Sequence, residues 1–224
     1  MKQRYVLMKI AIIGAGNVGG TLGRRWARAG HDILFGARDP DSAKTREIVA
    51  SCEGRALATS PADAAAQADV IVLAVWWHVV QPVIESMGDV AGKIIVDCTN
   101  PLDENLQLIH GHHSSGGEMI ADIATGARVV KAFNTVTWEV LADPDFGDGP
   151  ATMFYCGGDS AASDVVETLI RDIGMEPCHV GGLEMCRYLE PLAMIWILEF
   201  RIRRQSGDYG FRLLKRKPAG TATA

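Results

Sequence analysis

The sequence predicts an α/β fold: a doubly wound Rossmann sheet followed by a smaller C-terminal α/β lobe that ends in a long apolar helix. Three observations predict it. Short, continuously apolar runs alternate with helical segments, which is how parallel strands buried on both faces read. The first of these runs opens directly into a glycine-rich turn and a helix. The alternation is broken once, by the turn-dense segment DPDFGDGP from Asp143 to Pro150, and then resumes.

Taken in order, KIAII (Lys9 to Ile13) is the first strand, Asn17 to Ala29 the first helix and DILFG (Asp32 to Gly36) the second strand. Asp41 to Cys52 is helical, with Ser42 placed to cap it. A weak strand near Ala56 to Ala58 and a short helix from Ala62 to Gln67 lead to the strong fourth strand DVIVLAV, Asp69 to Val75. A helix from Val79 to Met87, a fifth strand from Lys93 to Cys98, a helix from Gly117 to Ala124 and a sixth strand from Arg128 to Phe133 complete the first part. Beyond the break come a strand (Thr152 to Cys156), a helix (Ala161 to Ile173), a strand (Met175 to Val180) and the apolar helix from Met185 to Ile202. The tail from Lys215 reads as frayed. The chain divides on this basis into residues 1–147 and 148–224.

Composition bounds the function. A chain of 224 residues buries about 70% of the surface it exposes when unfolded, so it needs no metal or disulfide to hold it together. The net charge of −5 argues against nucleic acid as a partner. The five cysteines include no CxxC pair, which fits a reducing cytoplasm. The N-terminus has no signal-peptide pattern, and Met8 is an alternative start to Met1. The most membrane-like segment, Leu192 to Leu198, is far short of the ~20 residues a span requires.

Gly14-Ala15-Gly16-Asn17-Val18-Gly19 is a GxGxxG, and it lies between a strand and a helix, the context in which that motif holds a dinucleotide. Gly14 permits the tight turn, Gly16 lets the backbone approach a pyrophosphate, and Gly19 lets the helix pack on the strand. The end of the second strand selects the nucleotide. NAD enzymes place Asp or Glu there to hold the ribose hydroxyls. Here the residues are Gly36-Ala37-Arg38, and Arg38 suits the 2′-phosphate of NADP; the competing reading makes Arg38 a solvated side chain and gives the acidic role to Asp39.

Ligands of such sheets bind beyond the carboxyl ends of the strands. The fourth strand ends in Ala74 and Val75 and is followed by Trp76, Trp77 and His78; the fifth leads to Thr99, Asn100 and Pro101; the sixth to Asn134 and Thr135. Trp76, Trp77, Asn100 and Asn134 offer the walls and amide groups that a nicotinamide ring needs, although packing is an equal reading for the tryptophans. No catalytic acid–base pair stands out. Transfer between two redox rings depends on alignment, because the cofactors carry the chemistry. His110, His112 and His113 sit in Gly- and Ser-rich sequence that reads as a loop, and no metal is expected there.

The stretches GAGNVGGTLGRRWARAGHDILFGARDP, VIVLAVWWHVV, IVDCTNPL, VVKAFNTV and RYLEPLAMIWI, in that order, resemble the NADP oxidoreductases that use the deazaflavin coenzyme F420. The resemblance runs from about Lys9 to Gly210. It implies reversible transfer of one hydride between nicotinamide C4 and deazaflavin C5. By similarity Gly14 to Gly19 hold the pyrophosphate and Arg38 the 2′-phosphate, and Trp76, Asn100 and Asn134 lie near the stacked rings. Leu189, Glu190, Pro191 and Leu192 lie on the helix that closes the cleft, residues 148–224 serve the second substrate, and the protein pairs into a homodimer. Arg187, Arg201, Arg203, Arg204 and Arg212 are the basic residues available to an anionic coenzyme tail. The soluble domains of membrane ferric reductases, which pass hydride to a flavin, share several of the same motifs. The alternatives are an NADPH-dependent reductase of a small imine or carbonyl compound, with His78 as proton donor, and a non-catalytic NADP(H) sensor.

Overall fold

The computed structural model describes residues 7–203 and 208–216. Eight strands form one sheet in the order β3-β2-β1-β4-β5-β6-β7-β8. They are β1 (Lys9–Ile13), β2 (Asp32–Gly36), β3 (Ala56–Thr59), β4 (Val70–Leu73), β5 (Ile94–Asp97), β6 (Arg128–Lys131), β7 (Thr152–Gly157) and β8 (Glu176–His179). All neighbours are parallel except β6 and β7, which run antiparallel. The reversal of strand order between β1 and β4 is the topological switch at which ligands of open α/β sheets bind.

The helices are α1 (Asn17–Arg28), α2 (Ala43–Ala50), α3 (Pro61–Gln67), α4 (Val80–Ser86), α5 (Gly116–Ile123), α6 (Trp138–Ala142), α7 (Ser160–Asp172) and α8 (Cys186–Arg203). Side-chain caps start four of them. Ser42, Ser60, Ser115 and Asp159 each accept the backbone N–H three residues on, which offsets the unpaired donors of a helix start. The short α6 was not foreseen: its sequence WEVLA is too brief to show a helical period.

Two apolar layers flank the sheet. On one side Ile10, Ile12, Val70, Val72 and Val130 pack with Leu22 and Trp26 of α1 and with Val166 and Leu169 of α7. On the other, Ala11, Ile71, Leu73 and Ile95 pack with α3, α4 and Ile120 of α5. Trp26, fully buried, donates its indole N–H to the Leu169 carbonyl at 2.9 Å and meets Phe133 edge-on. His31, also buried, accepts the Met8 N–H at Nδ1 (3.1 Å), so its Nε2–H faces Asp172 at 3.0 Å. These bonds fasten α1 and α7 together beneath the sheet. No helix among the described residues is long and apolar enough to cross a membrane.

Candidate functional site

The glycine turn sits at the end of β1, hard against the end of β4. Gly14 has φ +112°, and a Cβ there would meet the Ala74 carbonyl oxygen at 2.3 Å and a Val75 methyl at 2.9 Å, so only glycine turns the chain at this point. A Cβ on Gly19 would lie 2.0 Å from the Gly14 carbonyl oxygen, which is how closely α1 rides on the turn. Gly16 differs: a Cβ there meets nothing within 4 Å. Gly16 is also the N-cap of α1, and no side chain caps that helix. Asn17 is exposed, while Val18 packs on the core. The result is an uncapped helix N-terminus beside open space, the electrostatic requirement for a pyrophosphate.

At the end of β2 the Ala37 N–H is taken by the Thr59 carbonyl at 3.0 Å. Arg38 is exposed and makes no hydrogen bond or ion pair among the described residues. Asp39 is committed locally: its carboxylate accepts the Asp41 N–H and its carbonyl the Thr45 hydroxyl, each at 3.1 Å.

The structure separates the two tryptophans. Trp77 opens a 3-10 turn (Trp77–Val79), packs on the apolar layer and meets His110 edge-on at 5.8 Å. Trp76 is 71% exposed. His78 is exposed as well, and the His110 ring accepts or donates at 3.4 Å to the Ser114 hydroxyl. His112 and His113 are exposed; among the described residues no three His, Cys, Asp or Glu side chains are grouped as metal ligands.

Asn100 and Asn134 are brought together. Asn134 Nδ2 donates to Asn100 Oδ1 at 3.0 Å and to the Leu189 carbonyl at 3.2 Å, and Asn100 Nδ2 donates to the Asn134 carbonyl at 2.9 Å. These bonds fix both amide orientations, because flipping Asn134 would set its oxygen against two acceptors. The Asn134 Oδ1 that remains is buried without a partner, as is the Thr135 hydroxyl. The preceding Phe133 holds φ +64°, a strained conformation for a bulky residue, at the point where the chain leaves β6. Pro101 is buried beside the pair.

Beneath these amides lies a charged cluster that the pattern reading passed over. Lys131 Nζ reaches Asp97 Oδ2 at 2.7 Å, Glu190 Oε1 at 2.8 Å and the Thr99 carbonyl at 2.8 Å. All three side chains are fully buried. Burial pulls the ammonium pKa down, but the two carboxylates outweigh it and the net shift is upward, so Lys131 stays charged. Asp97 Oδ1 accepts the Thr99 N–H and hydroxyl, and Glu190 accepts the N–H groups of Gly116 and Gly117 at the start of α5. The signal was present: an aspartate and a lysine each lie within a run read as a buried strand, Lys93 to Cys98 and Arg128 to Phe133.

Leu189, on the first turns of α8, is buried. Arg187 is no free cation: its guanidinium grips Glu118 at 2.6 and 2.9 Å. Arg212 donates to the Asp148 carbonyl. Arg204 and the side chains of Arg201 and Arg203 lie outside the described residues. Burial and Asp97 push the Cys98 thiol up, which leaves no thiolate at neutral pH.

The Arg187 hydrogen bond holds the Glu118 carboxyl below the usual carboxylate range. A depressed folded-state pKa gives stability that is present above the unfolded value of about 4.3 and lost as pH falls through the folded value. Thermal melts from pH 6 down to pH 3 are therefore expected to fall more steeply for the unmutated chain than for Glu118→Gln.

Residues 9–101 match the family model described as NADP oxidoreductase coenzyme F420-dependent. The F420-dependent NADP reductase of Methanothermobacter thermautotrophicus is 30% identical over 231 residues, spanning 94% of this chain and 96% of that protein. The chain belongs to the F420-dependent NADP oxidoreductase family. It is an NADP-dependent oxidoreductase by that membership. A solved structure from Arthrobacter sp. FB24, provisionally described as an F420-dependent NADP reductase, superposes with a TM-score of 0.84 at 29% identity, covering 93% of this chain and all of that one. Metalloreductase STEAP3 of Rattus norvegicus is 30% identical over 188 residues, 83% of this chain, but the chain spans only 36% of that protein's length.

Proposed function

We propose that this family member transfers one hydride between C4 of NADP(H) and C5 of a deazaflavin coenzyme. Residues 1–147 hold the nucleotide, and residues 148–224 contribute the second-substrate side of the cleft and a homodimer contact. The observation that carries the reading is the pairing of Asn100 with Asn134 at the carboxyl ends of β5 and β6, with one buried amide oxygen left to accept from a ligand. The nicotinamide cofactor supplies the hydride. The chain's residues do the rest: the α1 N-terminus at Gly14, Gly16, Asn17, Val18 and Gly19 binds the pyrophosphate, and Arg38 clamps the 2′-phosphate. Ala74, Val75, Trp76, Asn100, Pro101 and Asn134 wall and orient the nicotinamide. The hydride goes from nicotinamide C4 to deazaflavin C5, and the reduced deazaflavin takes up one proton from solvent, so the reading asks this chain for ring alignment and not for a buried general acid.

Arg38→Ala is expected to weaken NADPH binding about 10- to 150-fold while NADH binding stays as it was, since a charged hydrogen bond contributes about 1.5–3 kcal/mol. Fluorescence titration with both nucleotides checks this; equal affinities in the unmutated chain refute the assignment. The second substrate is tested by loss of the deazaflavin absorption band on anaerobic mixing with NADPH. Persistence of that band alongside consumption of NADPH by an imine or carbonyl compound would favour the small-molecule reductase.

Exposed Tyr188, Ile195 and Leu198 on α8 support the homodimer reading. Sedimentation at micromolar concentration is expected to give a dimer, and a monomer would refute it.

A further inference from the structure

The cluster of Asp97, Lys131 and Glu190 has more connections than it needs to satisfy its own charges. Its one positive and two negative charges leave a net single negative charge, set against the positive end of α5 through the N–H groups of Gly116 and Gly117. Lys131 spends its third donor on the carbonyl of Thr99, the residue before Asn100. Glu190 follows Leu189, whose carbonyl accepts from Asn134. Asn100 therefore follows a carbonyl held by the cluster, and Asn134 bonds to the carbonyl of the residue that precedes a cluster member.

Stability does not account for this arrangement. Buried ion clusters are commonly no more stabilising than apolar side chains of the same volume, because desolvation offsets the attraction. What charges of this kind fix is position. α8 has little slack here: a Cβ on Gly117 would meet the Cys186 sulfur at 2.5 Å and Lys131 Cε at 3.2 Å, so the α5 start and the first turn of α8 are already in close approach.

We propose that Asp97, Lys131 and Glu190 form a positioning latch, which seats α8 against the carboxyl edge of the sheet and so sets the Asn100–Asn134 pair for hydride transfer, acting on the chemical step and not on nucleotide affinity. The inference rests on the hydride-transfer reading above. A misplacement of about 1 Å at a reacting centre costs on the order of 100-fold in rate, so a latch that drifts by a fraction of that has a measurable effect.

The test is Glu190→Gln, which removes a charge but keeps the shape. In anaerobic single-turnover mixing of NADPH-loaded protein with coenzyme F420, the rate constant is expected to fall about 10- to 100-fold. NADPH affinity, read separately by fluorescence titration, is expected to change by less than about threefold, the split that marks an interaction made in the transition state. NADPH deuterated at the transferred position is expected to show a larger isotope effect in the variant. A single-turnover rate constant does not depend on the fraction of protein that folds, so a merely structural role would lower the amplitude and leave the rate constant alone. Gly117→Ala is the second variant: it retains every charge and displaces Cys186, and the same split is expected. Rate constants within about twofold of the unmutated protein in both variants, or a fall matched by NADPH affinity, would overturn the latch. If the unmutated protein binds NADPH but gives coenzyme F420 no hydride, the substrate reading has failed. The latch is then read from the emission lifetime of bound NADPH, which Glu190→Gln should change and which, unchanged, would refute it.

Discussion

Lys131→Met is expected to lower stability by about 3–5 kcal/mol, the cost of breaking a buried ion cluster by removing one partner. In a chain of this length that corresponds to a fall in melting temperature of about 6–20 °C. The loss arises because Asp97 and Glu190 are fully buried and Lys131 is the cation that faces both, at 2.7 and 2.8 Å. The pH dependence identifies the cause. Without the ammonium, two buried carboxylates are left with no cation beside them, and burial disfavours the charged form of such a group. A raised pKa contributes stability at low pH that is lost as pH rises. The variant's deficit should therefore shrink as pH falls from 7 toward 5, as measured by thermal melts. A deficit that is flat with pH would mean that lost packing, and not unpaired charge, is responsible.

Gly16→Ala is expected to separate folding from binding. Its Cβ meets nothing within 4 Å, and the backbone there, φ −84° and ψ −166°, is open to alanine, so the melting temperature should stay within about 2 °C of the original. NADPH affinity should nevertheless fall at least tenfold, and up to about 150-fold, if the added methyl fills the space taken by the pyrophosphate and breaks its bonds to the α1 N-terminus. Gly14→Ala is the contrasting case: with φ +112° and the Ala74 carbonyl oxygen at 2.3 Å, it strains the turn itself and should lower stability and binding together. An unaffected NADPH affinity in Gly16→Ala would remove the pyrophosphate from this turn.

Much of the fold was legible because its signals are local. The apolar runs from Lys9 to Phe133 form six strands, and Ser42 caps the helix it was placed to start. The glycine turn was equally readable, since the need for glycine at Gly14 and Gly19 follows from backbone geometry. Partnership across the chain was not. Sequence spacing could not show that Arg187 is spent on Glu118, that Trp77 packs while Trp76 is exposed, or that Asn100 and Asn134, 34 residues apart, bond to each other. The buried Lys131 was the plainest omission. Lys131 lies inside the run read as the sixth strand, Arg128 to Phe133, and only the fold brings Asp97 and Glu190 to it.

Single-turnover reduction of coenzyme F420 by NADPH carrying deuterium at the transferred C4 position, followed by mass analysis of the reduced deazaflavin, tests the central claim most directly. Direct hydride transfer predicts one deuterium on the product at C5. Reduced deazaflavin carrying only solvent hydrogen, or deazaflavin left oxidised in the presence of bound NADPH, would contradict it.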